Sequence, residues 1–387
     1  MRTTHMKLKH ASIGALALAL IGLTISASAR IGGGPVIELG DPHRSLSAEE
    51  MEQFLRGRKV FDRDFHRKDG LGTPDMNADS CRACHQDPVL GGSGGLDLNV
   101  SRFGRDHFGS GPFEDVAGGQ MASKLRSPWA AGREEHDPTI ADVYEQRQTP
   151  PVFGLGLIDS IPASEILANE DPLDLDGDGI LGVARMLSVQ GVLEPGRFGW
   201  KGQIPFSFDF IRDAMAGECG ITTIPDGRGF GLVVDQDAVL DPELSQQDFD
   251  DMAFWLAELA PPQRGGSNDP DVVTGESVFG TIGCAKCHIP TLQGASEAVH
   301  LYSDLLLHDV MPPFFRGMAE PGAGVGMYRT PPLWGISHSA PYMHDGRAET
   351  LLDAILHHDS EAAGVRQAFE ALAQAEKDAL ILFLEDL

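Results

Sequence analysis

The chain has 387 residues, 42% of them hydrophobic, and a formal charge of −27, which is long enough for two or three domains that each bury a core. So acidic a surface excludes nucleic acid and anionic membranes as partners and leaves neutral or basic ones. No block of like charge and no composition typical of disorder interrupts it.

Arg2, Lys7 and Lys9 precede an apolar run from Ile13 to Ile25, and the small residues Ala27, Ser28 and Ala29 follow. That order predicts a secretory signal peptide over residues 1–29, cleaved after Ala29. The run is shorter than the roughly 20 residues a membrane span needs, so the chain is expected to be periplasmic or otherwise exported and not integral to a membrane. Without the leader, whose charges are all basic, the mature charge is about −30. Ser47 and Glu50 form a capping box that opens a helix through Phe54 and Val60-Phe61. Ser245 and Asp248 open another, with Phe249, Met252, Ala253 and Leu256 on one face. A third, strongly apolar helix closes the chain over residues 375–384. Residues 195–234 suggest short strands without placing them.

Two of the five cysteines stand at Cys81 and Cys84, followed at once by His85; Cys284, Cys287 and His288 repeat the pattern. Two thiols at this spacing form thioethers with the vinyl groups of a haem, and the adjacent imidazole reaches its iron. Zinc sites are closed by further Cys or His ligands, and redox dithiols do not require the histidine. Cys219 has no partner and reads as a buried thiol. Each motif lies between matching flanks. Gly57-Arg-Lys-Val-Phe61 and Gly275-Glu-Ser-Val-Phe279 precede the motifs. Thr149-Pro-Pro-Val-Phe-Gly154 and Thr330-Pro-Pro-Leu-Trp-Gly335 follow them. A diverged duplication predicts a mainly α protein with two cytochrome-c-like haem domains, long loops and a connecting region. The expected boundaries are 30–165 for the N-terminal haem domain, 166–240 for the connection and 241–387 for the C-terminal haem domain.

The run Tyr342-Met-His-Asp-Gly-Arg-Ala-Glu-Thr-Leu351 after Thr330-Pro-Pro-Leu-Trp-Gly335 resembles the di-haem oxidoreductase family. This family is also labelled thiol oxidoreductase and is kin to bacterial di-haem cytochrome c peroxidases. Gly91-Gly-Ser-Gly-Gly95, Asp174-Leu-Asp-Gly-Asp-Gly179, Gly196-Arg-Phe-Gly-Trp-Lys201 and Asp304-Leu-Leu-Leu-His-Asp309 agree with it. The resemblance implies two covalent c-type haems, with one relaying electrons from a small redox protein or other donor and the other reducing peroxide. Two rivals share the scaffold: a di-haem electron-transfer cytochrome without peroxidase activity, and an oxygenase acting on a small-molecule substrate.

His85 and His288 are the expected proximal ligands. The resemblance places a sixth ligand of the second haem on the helix after His344-Asp345-Gly346, where Leu351, Ile355 and His358 share a face, so His358 is the candidate. Asp345 would orient His344, and Arg347 would pair with a haem propionate. His107, Met121, His136 and His308 are all open as partners of the first iron, with His308-Asp309 ranked first as an active-site group after a helical-looking run. Peroxide cleavage needs a base and a hydrogen-bonding group beside the leaving oxygen; Glu134, Glu135 and Gln146 are candidates, and Trp129 is a candidate electron relay. Asp174, Asp176 and Asp178 have the alternating spacing of a calcium loop. Its twelfth position is Arg185 instead of Glu, so calcium and a plain Asp-rich turn both remain open.

Overall fold

Ser47 opens α1 (Ala48–Phe61): its hydroxyl accepts the Glu50 N–H and the Glu50 carboxylate accepts the Ser47 N–H, satisfying two helix-end donors at once. The computed structural model describes residues 37–72, 77–105, 107, the backbone of 121–122, 141–235, 237–314 and 317–387. The expected leader and the candidates Glu134, Glu135, His136 and Trp129 lie outside these residues, as does the side chain of Met121. After α1 come the strands β1 (Val100–Gly104), β2 (Met121–Ala122) and β3 (Val143–Arg147), then α2 (Leu155–Asp159) and α3 (Ala163–Leu167). A hairpin of β4 (Met186–Val189) and β5 (Val192–Pro195) leads to α4 (Ser207–Ala214), α5 (Gln246–Glu258) and α6 (Pro270–Ile282). Short strands β6 (Leu292–Gln293), β7 (Ala298–Val299), β8 (Leu307–Asp309) and β9 (Met327–Arg329) precede α7 (Leu351–His357), α8 (Ala363–Ala371) and α9 (Gln374–Asp386). The sheets are small and antiparallel, with orders β2-β1-β3, β4-β5, β6-β7 and β8-β9, so helices dominate the architecture. Among the described residues no helix is long and apolar enough to cross a membrane.

The matching flanks of the two motifs correspond to one helix pair built twice. Gly57 of α1 lies on α5, where a Cβ would come within 1.9 Å of the Asp251 carbonyl oxygen and 2.7 Å of Trp255 Cβ. Gly275 of α6 lies on α9 in the same way, at 2.0 Å from the Ala379 oxygen and 2.7 Å from Phe383 Cβ. Glycine is needed at both crossings because no side chain fits between the backbones. One turn on, Phe61 meets Trp255 at 4.7 Å between ring centres, and Phe279 meets Phe383 at 5.3 Å. The Gly154 N–H donates to the Leu259 carbonyl at the end of α5, and the Gly335 N–H donates to the Leu387 carbonyl at the end of α9. Both glycines have positive φ, which ends each Thr-Pro-Pro turn at the same place.

One buried cluster joins α1, α2 and α5 through Phe54, Phe61, Phe153, Ile158, Met252 and Trp255. A second joins α6 and α9 through Val278, Phe279, Leu380 and Phe383. α5 starts after residue 241, yet its partner is α1. Residues 195–234 contain α4 and a π-helical turn (Met215–Cys219) where strands were expected. Phe206, Phe208 and Phe210 alternate as a strand would, but Asp209 is fully buried and ion-paired to Arg228 at 2.6 Å, which holds the helix.

Candidate active site

Each Cys-x-x-Cys-His motif closes a single turn. The N–H groups of Cys84 and His85 donate to the Cys81 carbonyl at 3.2 and 3.0 Å, and the His288 N–H donates to the Cys284 carbonyl at 3.0 Å. Both pairs of thiols and both imidazoles line a single cavity of about 940 Å³, at the upper end of the range for ligand pockets. His85 Nδ1 meets the Gly92 carbonyl at 3.3 Å, and His288 Nδ1 meets the Tyr302 carbonyl at 3.0 Å. A carbonyl only accepts, so Nδ1 carries the proton and the Nε2 lone pair is left for a metal. Burial lowers both imidazoles to about 4, so they are neutral, and raises the Cys81 and Cys284 thiols to about 12. Phe61 and Phe279 pack beside the two histidines, with ring centres 6.0 and 6.5 Å away.

His358 ends α7 with Nδ1 2.8 Å from the Ala354 carbonyl. Its ring lies 6.5 Å from that of His288, centre to centre, at 65°. A metal bound to two imidazole nitrogens at about 2 Å each separates the ring centres by roughly 6 Å. The second motif and His358 therefore fit an iron between them, and the apolar, thiol-bearing cavity fits the macrocycle around it.

A buried charged cluster that sequence reasoning missed reaches the same cavity. Glu320 takes Arg102 and Arg185 at 2.9 Å and Arg147 at 3.0 Å; despite burial, the three arginines hold its carboxyl down at about 2. Glu145 binds Arg147 and accepts the Met318 N–H at 2.6 Å and the Tyr328 hydroxyl at 3.0 Å. Burial would raise the Glu145 carboxyl, but chiefly the Arg147 guanidinium, with Lys201 and the Met318 N–H, keeps it below its usual value. Lys201 is wholly buried, donates to the Met327 and Gly324 carbonyls at 2.7 and 3.0 Å, and is lowered by burial to about 7. The three arginines and Glu320 line the cavity. Gln146, the candidate, is exposed, and its amide donates to the Tyr144 hydroxyl at 3.4 Å. β3 alternates its faces, so Glu145 and Arg147 point inward and Gln146 outward. Val143-Tyr-Glu-Gln-Arg147 has no apolar alternation, so the sequence held no signal for this inward face.

His344 is buried and stacks on Tyr328 at 3.9 Å, with Nε2 3.0 Å from the phenol oxygen. Asp345 lies 4.0 Å from that nitrogen and is instead held by Arg347 at 2.9 Å. The tight Asp-Gly-Arg turn folds the guanidinium onto the nearby carboxylate, so Asp345 does not orient His344 as expected. His308 sits in strand β8, paired with β9, and the run before it, expected to be helical, forms no helix. Its ring contacts Asp304 at 2.8 Å, Glu361 at 3.0 Å and Cys287 Sγ at 3.7 Å. Burial would lower His308, but hydrogen bonds with Asp304, Cys287 and Glu361 push it up to about 12. Asp309 donates its N–H to Glu361 at 2.9 Å. The oxygens of Asp171, Asp174 and Asp176 lie within 4.8 Å of one another. Asp178 does not join them: it pairs with Lys286 of the second motif at 2.8 Å. His107 is exposed, and Cys219 is a buried thiol raised well above its usual value by burial.

A model of the family described as "Di-haem oxidoreductase, putative peroxidase" matches residues 139–387. The chain belongs to this di-haem oxidoreductase family. It is thus a redox enzyme whose cofactor is haem. The match starts after the first Cys-x-x-Cys-His motif and contains the second. Among solved structures, a MauG-like protein associated with microbial copper homeostasis is similar at 16% identity and a TM-score of 0.46, over 89% of this chain and 92% of that one. The hydrazine synthase of Kuenenia stuttgartiensis is similar at 15% identity and a TM-score of 0.36, over 93% and 98%. The diheme peroxidase BthA from Burkholderia thailandensis E264 is similar at 15% identity and a TM-score of 0.35, over 71% and 93%. No curated protein matches the chain.

Proposed function

We propose that this di-haem oxidoreductase is an exported c-type enzyme that reduces a peroxide with electrons from a neutral or basic redox partner. Cys81 and Cys84 would hold one haem and Cys284 and Cys287 the other, with His85 and His288 as ligands through their free Nε2 atoms. The observation that carries the division of labour is the His288–His358 ring pair. Two imidazoles available to one haem at the C-terminal site would suit it to relaying electrons and would leave the N-terminal site as the one that meets peroxide. When bound, haem iron supplies the electron transfer that cleaves the O–O bond, which takes two electrons and two protons to give two waters. Burial holds His85 and His288 neutral and ready to ligate. Arg102, Arg147 and Arg185 present cations on the cavity wall, suited to the propionates of a haem. On this reading the N-terminal unit is completed by α5, and a calcium ion would use Asp171, Asp174 and Asp176.

Optical and electron paramagnetic resonance spectra of the ferric and half-reduced protein, before and after peroxide, test this reading. The expected result is one high-spin component that changes on adding peroxide. Two low-spin haems inert to peroxide in both redox states would move the function to electron transfer. Mass spectrometry should show two haems attached covalently, and N-terminal sequencing of the exported form should begin at Arg30.

A further inference from the structure

We propose that Tyr328 is a one-electron relay between the two Cys-x-x-Cys-His sites and that its phenol proton passes to Glu145 as the electron leaves. This rests on the peroxide-reducing reading above and adds a residue to it.

Tyr328 lies between the two sites in the contact network. It pairs across β8–β9 with His308, whose ring is 3.7 Å from Cys287 Sγ. On its other side Glu145 begins the segment Glu145–Pro150. In that segment the Gln148 N–H donates to the His344 carbonyl at 2.7 Å, and Thr149 and Pro150 line the cavity with His85. Tyr328 lines the same cavity as both motifs. Removing an electron from a phenol makes its O–H strongly acidic, so a buried tyrosine gives up an electron only where a base can take the proton. Glu145 Oε2 stands 3.0 Å from the hydroxyl, in line to accept it. His344 Nε2 is 3.0 Å from the same oxygen, and its buried Nδ1 has no hydrogen-bond partner among the described residues. The Lys201 ammonium lies 4.2 Å from the ring centre. A cation there disfavours a charged ring and favours the neutral radical that proton loss leaves.

The step balances with peroxide as the oxidant. Each electron bound for the peroxide site leaves the Tyr328 ring, the O–H bond breaks, and the proton goes to Glu145. This leaves a neutral phenoxyl radical and a carboxylic acid. An electron from the donor by way of the C-terminal site, with the proton returning from Glu145, restores both groups. Two such cycles supply the two electrons, and the two protons that complete two waters come from solvent.

The chain has four tyrosines, so the radical can be assigned directly. Holoprotein carrying ring-deuterated tyrosine is freeze-quenched after peroxide and, separately, after flash photo-oxidation with a ruthenium trisbipyridine and persulfate pair. The expected result is a radical signal in electron paramagnetic resonance that narrows with deuterated tyrosine. It should be lost in Tyr328→Phe at unchanged haem content and kept in Tyr302→Phe and Tyr342→Phe. Glu145→Gln, which keeps the phenol and removes the proton acceptor, should lose the signal as well. No tyrosyl signal in the unsubstituted protein with either oxidant, or one that survives Tyr328→Phe, overturns the relay. Haem spectra inert to peroxide overturn the peroxide reading alone, because photo-oxidation still reads Tyr328.

Discussion

Replacing Gly275 with alanine drives a methyl carbon to 2.0 Å from the Ala379 carbonyl oxygen. Carbon–oxygen contacts settle near about 3.3 Å, so α6 and α9 must part by roughly 1.3 Å at their crossing or bend around it. Overpacking of this kind costs about 1–3 kcal/mol. Alanine returns about 1 kcal/mol through helix propensity, so the expected net loss is up to about 2 kcal/mol. The same helix contains its own control. A Cβ on Gly280 meets nothing within 4 Å, so Gly280→Ala keeps only the propensity gain and should stabilise by up to about 1 kcal/mol. Urea unfolding of the holoprotein followed by circular dichroism compares the two. Because the crossing seats Phe279 beside His288 and Leu380 on the cavity wall, haem content should fall in Gly275→Ala and hold in Gly280→Ala. Equal stability of the two variants would refute the close-crossing argument, and with it the same expectation for Gly57→Ala.

Glu320→Gln leaves Arg102, Arg147 and Arg185 without their shared carboxylate and should cost about 3–5 kcal/mol in unfolding experiments; a loss below about 1 kcal/mol would mean the cluster is well solvated. Lys201 has a folded-state value lowered from 10.5 to about 7 by burial. Its contribution is therefore full above the unfolded value and is lost as pH falls through 7, a span on the order of 5 kcal/mol. The stability difference between the unsubstituted protein and Lys201→Met should grow in favour of lysine from pH 7 to 10.5, and a flat difference would rule this out. His358→Ala should convert one low-spin haem signal to high spin, whereas an unchanged spectrum would remove His358 as a ligand. If Asp171, Asp174 and Asp176 hold calcium, a chelator should lower the melting temperature and Asp171→Asn should abolish that effect.

Features confined to one turn were legible in the sequence. The capping box at Ser47, the N-cap at Ser245 and the two Cys-x-x-Cys-His turns depend on residues within four positions of one another, so their spacing carries their geometry. The repeated Gly-x-x-Val-Phe pattern announced two equivalent helices but not their partners. Gly57 meets Asp251 and Gly275 meets Ala379, and nothing local says which distant helix will bury an apolar stripe. For the same reason α5 packs on α1 from beyond the expected start of the C-terminal region at residue 241. Gln146 was singled out where Glu145 is the inward residue, because strand β3 exists only through pairing with β1. The contact of Glu145 with Tyr328 spans 183 positions, and the three arginines around Glu320 come from β1, β3 and the loop before β4. A buried charge network is invisible in sequence because each member alone reads as a solvated surface residue; it acquires chemistry only when folding removes the water.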